Sequence, residues 1–310
     1  MSTKRLQNRI AESRIALPIT AVYALTVYMA AGLFRNDLWL PFISLGFSTY
    51  LMVELNNQNA LLRVYSRMVS CVFLVFVSLA GRQLLSTEAS VVLVSLAAYY
   101  LIVFNAYQNR SATAITFYAF LCIGIASTVF VQILFLVPVL WILHASKVLA
   151  MSYRTFWASI LGLVAPYWFT VGYYIYEDRM VDFITHFTAL ARFQPPFEYP
   201  TVSCEQWLTV GYLAIVSLIG IGHYLRSSRN DKIRTRMIYE MFIVINLCIL
   251  LFMALQPQHV NRLLPALIVT SSPIVAHFIT LTRTAFTNIV FSLIWMSAII
   301  LTVYNLWMQS

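Results

Sequence analysis

The sequence has little charge and few of the residue patterns that build common catalytic or metal sites. Only 10% of its 310 residues are charged, against about a quarter in soluble domains, and 61% are hydrophobic. No CxxC, HExxH, GxGxxG or Walker pattern occurs, and Cys71, Cys122 and Cys248 lie within apolar runs. Because only Cys204 falls in a predicted loop, we expect no disulfide, no metal site and no cofactor.

The chain also lacks the period-2 alternation of an outer-membrane barrel. Its apolar runs approach or reach the roughly 17–25 residues that cross a bilayer core, and lipid forces such runs into helices. We therefore predict an all-α, polytopic transmembrane helix bundle that forms one domain over residues 1–310. The eleven predicted crossings are Ile15–Phe34, Leu38–Val53, Met68–Leu85, Ala89–Tyr107, Ala112–Ala126, Val129–Ala145, Trp157–Tyr176, Gln206–Leu225, Met241–Leu255, Leu263–Leu281 and Phe286–Met308.

Lysine and arginine are divided unevenly between the two sides of these crossings. With the N-terminus inside, the inner loops hold fifteen of the 20 basic residues and the outer loops hold five. This asymmetry follows the positive-inside rule and predicts a bacterial inner-membrane protein with its N-terminus inside and its C-terminus outside. The net charge of +9 then indicates contact with anionic membrane lipids and not with nucleic acid.

The run from Ala112 to Ala145 has no charge over 34 residues and would span about 50 Å as one helix. That length is too long for one crossing and short for two. A single crossing would invert the charge asymmetry downstream, so we predict two short helices that turn near Ser127 and Thr128, with a kink at Pro138. Short helices are typical of the working parts of membrane proteins, and local bilayer thinning is the alternative explanation.

The longest outer loop contains an amphipathic segment near residues 180–193. Helical spacing separates its apolar and polar side chains, which predicts a helix that lies flat on the outer leaflet and ends before Pro195. The apolar side comprises Met180, Phe183, Ile184, Phe187, Leu190 and Ala191, and the polar side comprises Asp182, Thr185, His186 and Arg192.

The centres of the predicted crossings are almost free of ionisable residues, which counts against a proton-coupled transporter or a pump. The more notable polar residues at depth are Asn246, Ser271 and Ser272. We expect them to form hydrogen bonds between helices, because such bonds hold transmembrane helices together.

The predicted outer face is richer in groups that could take part in chemistry. Asp37 directly follows the first crossing and is the candidate catalytic base, and Arg35, Arg82, His259 and Arg262 are candidate substrate-binding residues. Arginine and histidine beside a carboxylate could hold a lipid-linked phosphate while a base activates an acceptor. A solvated rim of charges is the simpler interpretation of each residue taken alone.

Four stretches carry a resemblance to known proteins: Glu54–Asn59, Phe104–Tyr107, Phe120–Trp141 and Arg262–Pro265. In these stretches the chain resembles an uncharacterised family of polytopic membrane proteins typical of Bacteroidota. The resemblance covers most of the chain and implies a multi-pass membrane protein without an assigned reaction.

A weaker resemblance rests on Asp37, after the first crossing, and on Arg262 with Pro265, at the start of a late crossing. These positions are similar to those of polytopic glycosyltransferases that use polyprenyl-phosphate sugars, which implies Asp37 as the base. Such enzymes usually have a long first outer loop with its own helices. Here only Arg35, Asn36 and Asp37 stand in that place.

Two hypotheses of function follow from these observations. The first is a non-enzymatic subunit or scaffold of a cell-envelope protein complex, favoured by the short loops and the lack of a complete catalytic motif. The alternative is an outer-face, glycosyltransferase-like enzyme that acts on a lipid-linked glycan, favoured by the charged residues at the outer helix ends.

Overall fold

The computed structural model describes residues 5–34, 38–193, 195, 202–282 and 284–308, without the side chain of Arg82. Within these residues the protein is about 85% helix and has no strand. The helices are α1 (Leu6–Ala11), α2 (Ala16–Ala30), α3 (Trp39–Asn59), α4 (Met68–Ala80), α5 (Thr87–Val103), α6 (Thr113–Val129), α7 (Val137–Leu143), α8 (Tyr153–Tyr176), α9 (Met180–Thr188), α10 (Cys204–Ser227), α11 (Ile233–Leu255), α12 (Val260–Leu281) and α13 (Ala285–Met308).

All eleven predicted crossings fall on helices, but not all of these helices are long. Seven helical segments of the described chain are long and apolar enough to cross a membrane, which supports a multi-pass membrane protein. Helices α2, α4 and α6 are apolar but shorter, with 15, 13 and 17 residues. The 13 residues of α4 rise only about 20 Å, so this helix crosses a bilayer of about 30 Å only with the residues around it or where the bilayer is thin.

Serine side chains define where two of the long helices begin. Ser152 and Thr155 form a capping box at the start of α8, and Ser203 and Gln206 form another at the start of α10. In each box the two side chains satisfy backbone N–H groups that the first helical turn leaves without partners. These polar residues thus place the beginnings of both helices at the ends of the apolar runs.

Helix α12 forms the centre of the bundle. Every residue of its most apolar 18-residue window is buried, and α4, α5, α10 and α11 pack around it. Helices α2 and α13 lie on the α4 side, and α6 packs on α5. The central position explains why α12 has no lipid-facing stripe, since a helix that is surrounded by others is apolar all round.

Two glycines bring α6 and α8 into close contact. A Cβ atom on Gly162 would lie 2.4 Å from the Phe117 carbonyl oxygen, and one on Gly124 would lie 2.7 Å from the Leu163 carbonyl oxygen. Such distances are possible only without side chains, which is how small residues let transmembrane helices approach each other. The Trp141 indole N–H, which donates to Ser159 Oγ over 2.9 Å, adds a polar contact to this region.

The uncharged run from Ala112 to Ala145 is broken in two, as predicted, but the break lies slightly later than Ser127 and Thr128. Helix α6 ends at Val129, Phe130 has non-helical backbone angles, and a 3₁₀ segment (Val131–Leu136) leads into α7. Pro138 does not kink a helix. It lies in the first turn of α7, where proline is tolerated because the first N–H groups have no helical partner.

The polar residues at depth divide into two kinds. The Asn246 side-chain amide on α11 donates to Thr270 Oγ1 on α12 over 3.1 Å, which confirms the predicted bond between helices. Ser271 and Ser272 instead donate to the carbonyl of Ile268 within α12, so the prediction of interhelical bonds is wrong for them. A serine hydroxyl reaches the preceding helical turn easily, and here that bond satisfies it.

Candidate functional site

At the predicted outer end of the bundle, the candidate binding residue Arg262 has an acidic partner. Arg262, in the first turn of α12, forms an ion pair with Glu88, in the first turn of α5, with 2.9 Å between Nε and Oε2. Both side chains are about half exposed. Ser86 caps α5 by accepting the Ala89 N–H, so Glu88 lies at a helix N-terminus, where a negative charge is favoured.

Phe130 is the apolar centre of a cluster that it forms with Arg262 and His259 at the predicted outer end. The Arg262 guanidinium lies 5.9 Å from the centroid of its ring, and the His259 ring lies 5.6 Å from it. His259 also approaches Phe252 of α11, at 6.0 Å between ring centroids. Phe130, at which the uncharged run breaks, therefore lies beside Arg262 and His259. These two are the candidate binding residues whose side chains the structure describes.

The remaining candidate residues give a different outcome. Arg35 and Asp37 lie outside the described residues. Arg82 lies in a 3₁₀ turn (Gly81–Leu84) after α4, and its side chain is likewise outside the description. The candidate base and two of the four candidate binding residues thus stay predictions, and the geometry of the predicted outer face rests on Arg262, His259 and Glu88.

The chemical capacity of this cluster is limited by its charge balance. Arg262 already has a carboxylate partner in Glu88, so a phosphate would have to displace that carboxylate. A half-exposed pair of this kind contributes only about 0–1 kcal/mol to stability, so displacing Glu88 costs little free energy. Arg262 can bind an anion by exchanging Glu88 for it. The same arrangement is also expected of a solvated rim of charges.

The predicted amphipathic helix is present as α9, followed by a 3₁₀ turn (Ala189–Ala191). Its Phe183 and Phe187 rings pack against Tyr174 and Tyr167 of α8, at 5.9 and 5.0 Å between centroids. The most exposed apolar side chain of α9 is Val181. The aromatic residues of its apolar side therefore face the protein's own helix α8.

His186 lies on the bundle side of α9, and not on the exposed polar side that the spacing predicted. One of its ring nitrogens, Nε2, lies 3.0 Å from the Ser127 carbonyl at the end of α6. Burial lowers the pKa of His186, and the bond to that carbonyl partly opposes the shift. Gln132 adds a second link by donating to the Ala189 carbonyl over 3.3 Å. These contacts hold α9 to the break between α6 and α7.

A second cluster lies at the opposite end of the bundle. Asp231, in the turn between α10 and α11, accepts from the Nε atom of Arg63 at 2.5 Å. Its other carboxylate oxygen lies 3.1 Å from Nε2 of His277 on α12. The Asp231 and His277 side chains are fully buried, whereas the Arg63 side chain is 36% exposed.

Aromatic rings enclose His277. The rings of Tyr239, Tyr224 and His223 lie 4.8, 5.4 and 5.5 Å from its ring, centroid to centroid. The Nδ1 atoms of His277 and His223 are buried and have no hydrogen-bond partner among the described residues. Two imidazoles thus lie next to each other, and one of them is hydrogen-bonded to the Asp231 carboxylate.

The charge state of Asp231 follows from its neighbours. Burial raises the pKa of its carboxyl, but the hydrogen bonds from His277 and Arg63 and their charges lower it more, so the net shift is downward. An ionised carboxylate favours the tautomer in which Nε2 of His277 carries the proton. A histidine oriented by a carboxylate is the arrangement of a general base. Because both side chains are fully buried, however, we interpret this dyad as a structural lock.

Further polar contacts at the same end join other loops. Lys147 forms an ion pair with Glu240 of α11. Arg234 donates to Asn59 Oδ1 over 2.8 Å and to the Phe104 carbonyl over 3.1 Å. Basic residues that the sequence assigns to inner loops therefore cross-link those loops, besides contributing to the charge asymmetry.

Sequence reasoning did not predict the Asp231 cluster. Asp231 was only one acid within the basic stretch Arg226–Arg236, and His277 was one histidine toward the end of an apolar run. The available signal was the combination of an isolated acid in a basic loop and a histidine within an otherwise uncharged helix. Their pairing depends on how α12 packs against the α10–α11 turn.

The cysteines and the acidic side chains do not form a recognisable metal centre in the part of the chain that the structure describes. No group of three or more His, Cys, Asp or Glu residues there could hold a metal ion, and all four cysteines are unpaired. Comparison with known proteins found no matching family model, no matching curated protein and no matching solved structure.

Proposed function

We propose that this chain is a non-enzymatic membrane subunit that holds a partner of a cell-envelope assembly within the bacterial inner membrane. The observation that carries the proposal is the outward face of α8. Only 17% of the most apolar window of this helix is buried, and its main packing partners are α6 and α9. Its outward face therefore lies at the periphery of the bundle.

This outward face is unusually aromatic. Trp168, Phe169 and Tyr176 are 80%, 78% and 86% exposed, and Tyr153 is exposed near the other end of the helix. Aromatic residues are enriched at protein–protein interfaces and dominate their binding energy. Trp168 is eight residues from the end of α8, about 12 Å along the helix axis. Headgroup anchoring explains Tyr176 but not Trp168, whose depth favours contact with a membrane-embedded partner helix.

The alternative is an outer-face enzyme that transfers a glycan from a lipid carrier. A specific observation favours it, since Arg262 and His259 converge around Phe130 at the predicted outer end. In this alternative the Arg262 guanidinium exchanges Glu88 for the carrier phosphate, and Asp37 supplies the base. The two proposals place the essential residues at different positions, so they can be separated by mutation.

The decisive experiment is complementation of a deletion strain, with membrane abundance measured for every variant. A subunit predicts that Trp168→Ala combined with Phe169→Ala removes function at normal abundance, because interface aromatics each contribute about 2 kcal/mol or more. Leu293→Ala with Ile300→Ala, which are exposed on α13, is the matched control and should complement fully.

The enzyme predicts the reverse pattern. Asp37→Asn and Arg262→Ala should then abolish function while leaving abundance unchanged, because they remove chemistry and not packing. Under the subunit proposal both changes should be nearly silent. Full complementation by the Trp168 and Phe169 double variant would refute the subunit proposal, and normal envelope composition in the Asp37→Asn strain would refute the enzyme.

A further inference from the structure

An apolar groove opens on the side of the bundle next to the N-terminal helix. Its volume is about 490 Å³, within the roughly 300–1,000 Å³ of small-molecule sites. Helices α1, α2, α4 and α13 supply its walls. The lining residues include Leu6, Ile10, Ile19, Cys71, Phe291 and Met296.

The groove lies near the ends at which α2 and α4 begin. Its walls include Ala16 and Met68, which are the first residues of α2 and α4. Its far end is at Met296, the twelfth residue of α13. Eleven residue steps of helix rise about 16 Å. These steps separate Met296 from the start of α13, and half of a bilayer core is about 15 Å, so the groove lies within one leaflet.

Helix α1 is held firmly at the mouth of the groove. The buried Gln7 side chain donates to the Ile279 carbonyl and to Thr282 Oγ1, both at 2.5 Å. Asn8 donates to the Thr282 carbonyl over 3.1 Å, and Ser66 donates to the Ala11 carbonyl over 2.5 Å. These contacts position the N-terminal helix against α12 and against the loop before α4. The position of α1 at the mouth of the groove is therefore fixed by specific hydrogen bonds.

Basic residues adjoin the lining residues at this mouth in the sequence. Arg9 precedes the lining residue Ile10, Arg14 lies two residues before Ala16, and Arg67 precedes Met68. Arg9 and Arg14 are exposed, and Glu12 is the acid between them. An apolar slot within one leaflet, with basic residues beside its mouth, is complementary to a lipid that has a negative headgroup.

We propose that this groove binds one acyl chain of an anionic phospholipid, whose phosphate is held by Arg9, Arg14 and Arg67. The site is independent of the proposed partner surface on α8. A second groove of about 510 Å³ lies between α2 and α3, lined by residues that include Leu25, Phe42 and Gly46. None of its lining residues is next to a basic residue in the sequence, so it provides an internal control for the basic rim.

The test is lipid binding by the full-length protein, delipidated in mild detergent and titrated with phosphatidylglycerol or phosphatidylcholine of equal chain length. Native mass spectrometry measures occupancy. We expect phosphatidylglycerol to bind at least tenfold more tightly than phosphatidylcholine. Arg9→Gln combined with Arg14→Gln should weaken phosphatidylglycerol binding roughly thirtyfold, given the contribution of each basic residue near anionic lipid, and leave phosphatidylcholine binding unchanged.

A second variant tests the groove itself. Ser292→Phe places a ring among the lining residues and should weaken binding of both lipids. Leu293→Phe, which faces outward on the same helix, and Gly46→Phe, in the second groove, are the matched controls and should bind as the wild type does. Melting temperature verifies the fold of each variant. Equal binding of the two lipids, or undiminished binding by Ser292→Phe, would overturn the proposal.

Discussion

Oδ2 of Asp231 lies 3.1 Å from Nε2 of His277, and neither side chain is exposed. The bond connects the turn between α10 and α11 to the central helix α12, across 46 residues of sequence. Arg63 completes the cluster from the loop between α3 and α4. One carboxylate thus joins three parts of the chain at the predicted cytoplasmic end.

Removing this carboxylate should destabilise the protein substantially. We expect Asp231→Ala to cost about 1–3 kcal/mol, because it leaves the buried Nε2 N–H of His277 without its hydrogen-bond acceptor. Asp231→Asn should cost less, since it keeps the shape of the side chain and can still form a hydrogen bond. Unfolding in mild detergent measures both, and Glu54→Ala, an acid on α3, is the control. An Asp231→Ala variant as stable as the wild type would contradict the structural-lock interpretation.

The same carboxylate predicts a dependence of stability on pH. The folded-state pKa of Asp231 is below its ordinary value of 3.8, so its contribution is complete above that pH and is lost as the pH falls through the folded-state pKa. The stability difference between the wild type and Asp231→Asn should therefore be constant from pH 7 toward 3.8 and shrink below it. Melting temperatures across this range provide the measurement. A difference that grows on acidification would show that the sign is wrong.

Side chains at the α6–α8 crossing should be poorly tolerated. The Cβ atom of Gly162→Ala would lie 2.4 Å from the Phe117 carbonyl oxygen, so the helices must separate, at a cost of about 1–3 kcal/mol. Gly172→Ala on the same helix is the control, because nothing lies within 4 Å of its Cβ position. Unfolding experiments should show a loss of stability for Gly162→Ala only. Equal stability of the two variants would exclude close packing at this crossing.

The attachment of α9 depends on its aromatic side chains. Phe183→Asp combined with Phe187→Asp should release this helix, because it removes the rings that pack on Tyr174 and Tyr167. Hydrogen exchange over residues 180–191 should then become much faster. Val181→Asp, an exposed position on the same helix, should leave exchange unchanged. Slow exchange in the double variant would show that α9 is held mainly by its polar contacts.

The membrane topology can be tested with reporter fusions. Eleven crossings with the N-terminus inside predict that fusions after Arg110, Lys147 and Arg229 report inside and that a fusion after Thr128 reports outside. The physical reason is the retention of basic loops on the cytoplasmic side. An external signal after Arg229 would overturn the predicted parity, and an internal signal after Thr128 would show that the run from Ala112 to Ala145 does not cross twice.

Much of the fold could be predicted because its signals are local. The length of each apolar run, the break in the uncharged run and the amphipathic pattern of α9 all follow from residues close in sequence. Predictions about side-chain partners were less successful. His186 turned toward the Ser127 carbonyl, and Ser271 and Ser272 bonded within their own helix, because these outcomes depend on which helix faces which.

By itself the sequence determined the class of the protein, because hydrophobic length and backbone hydrogen bonding leave helices as the only solution for such runs in lipid. It also determined the asymmetry of charge between the predicted sides. Only the tertiary structure decided that Asp231 meets His277, that Arg262 meets Glu88, and that a groove opens beside α1. Those relationships arise from helix packing, which joins residues that no local pattern relates.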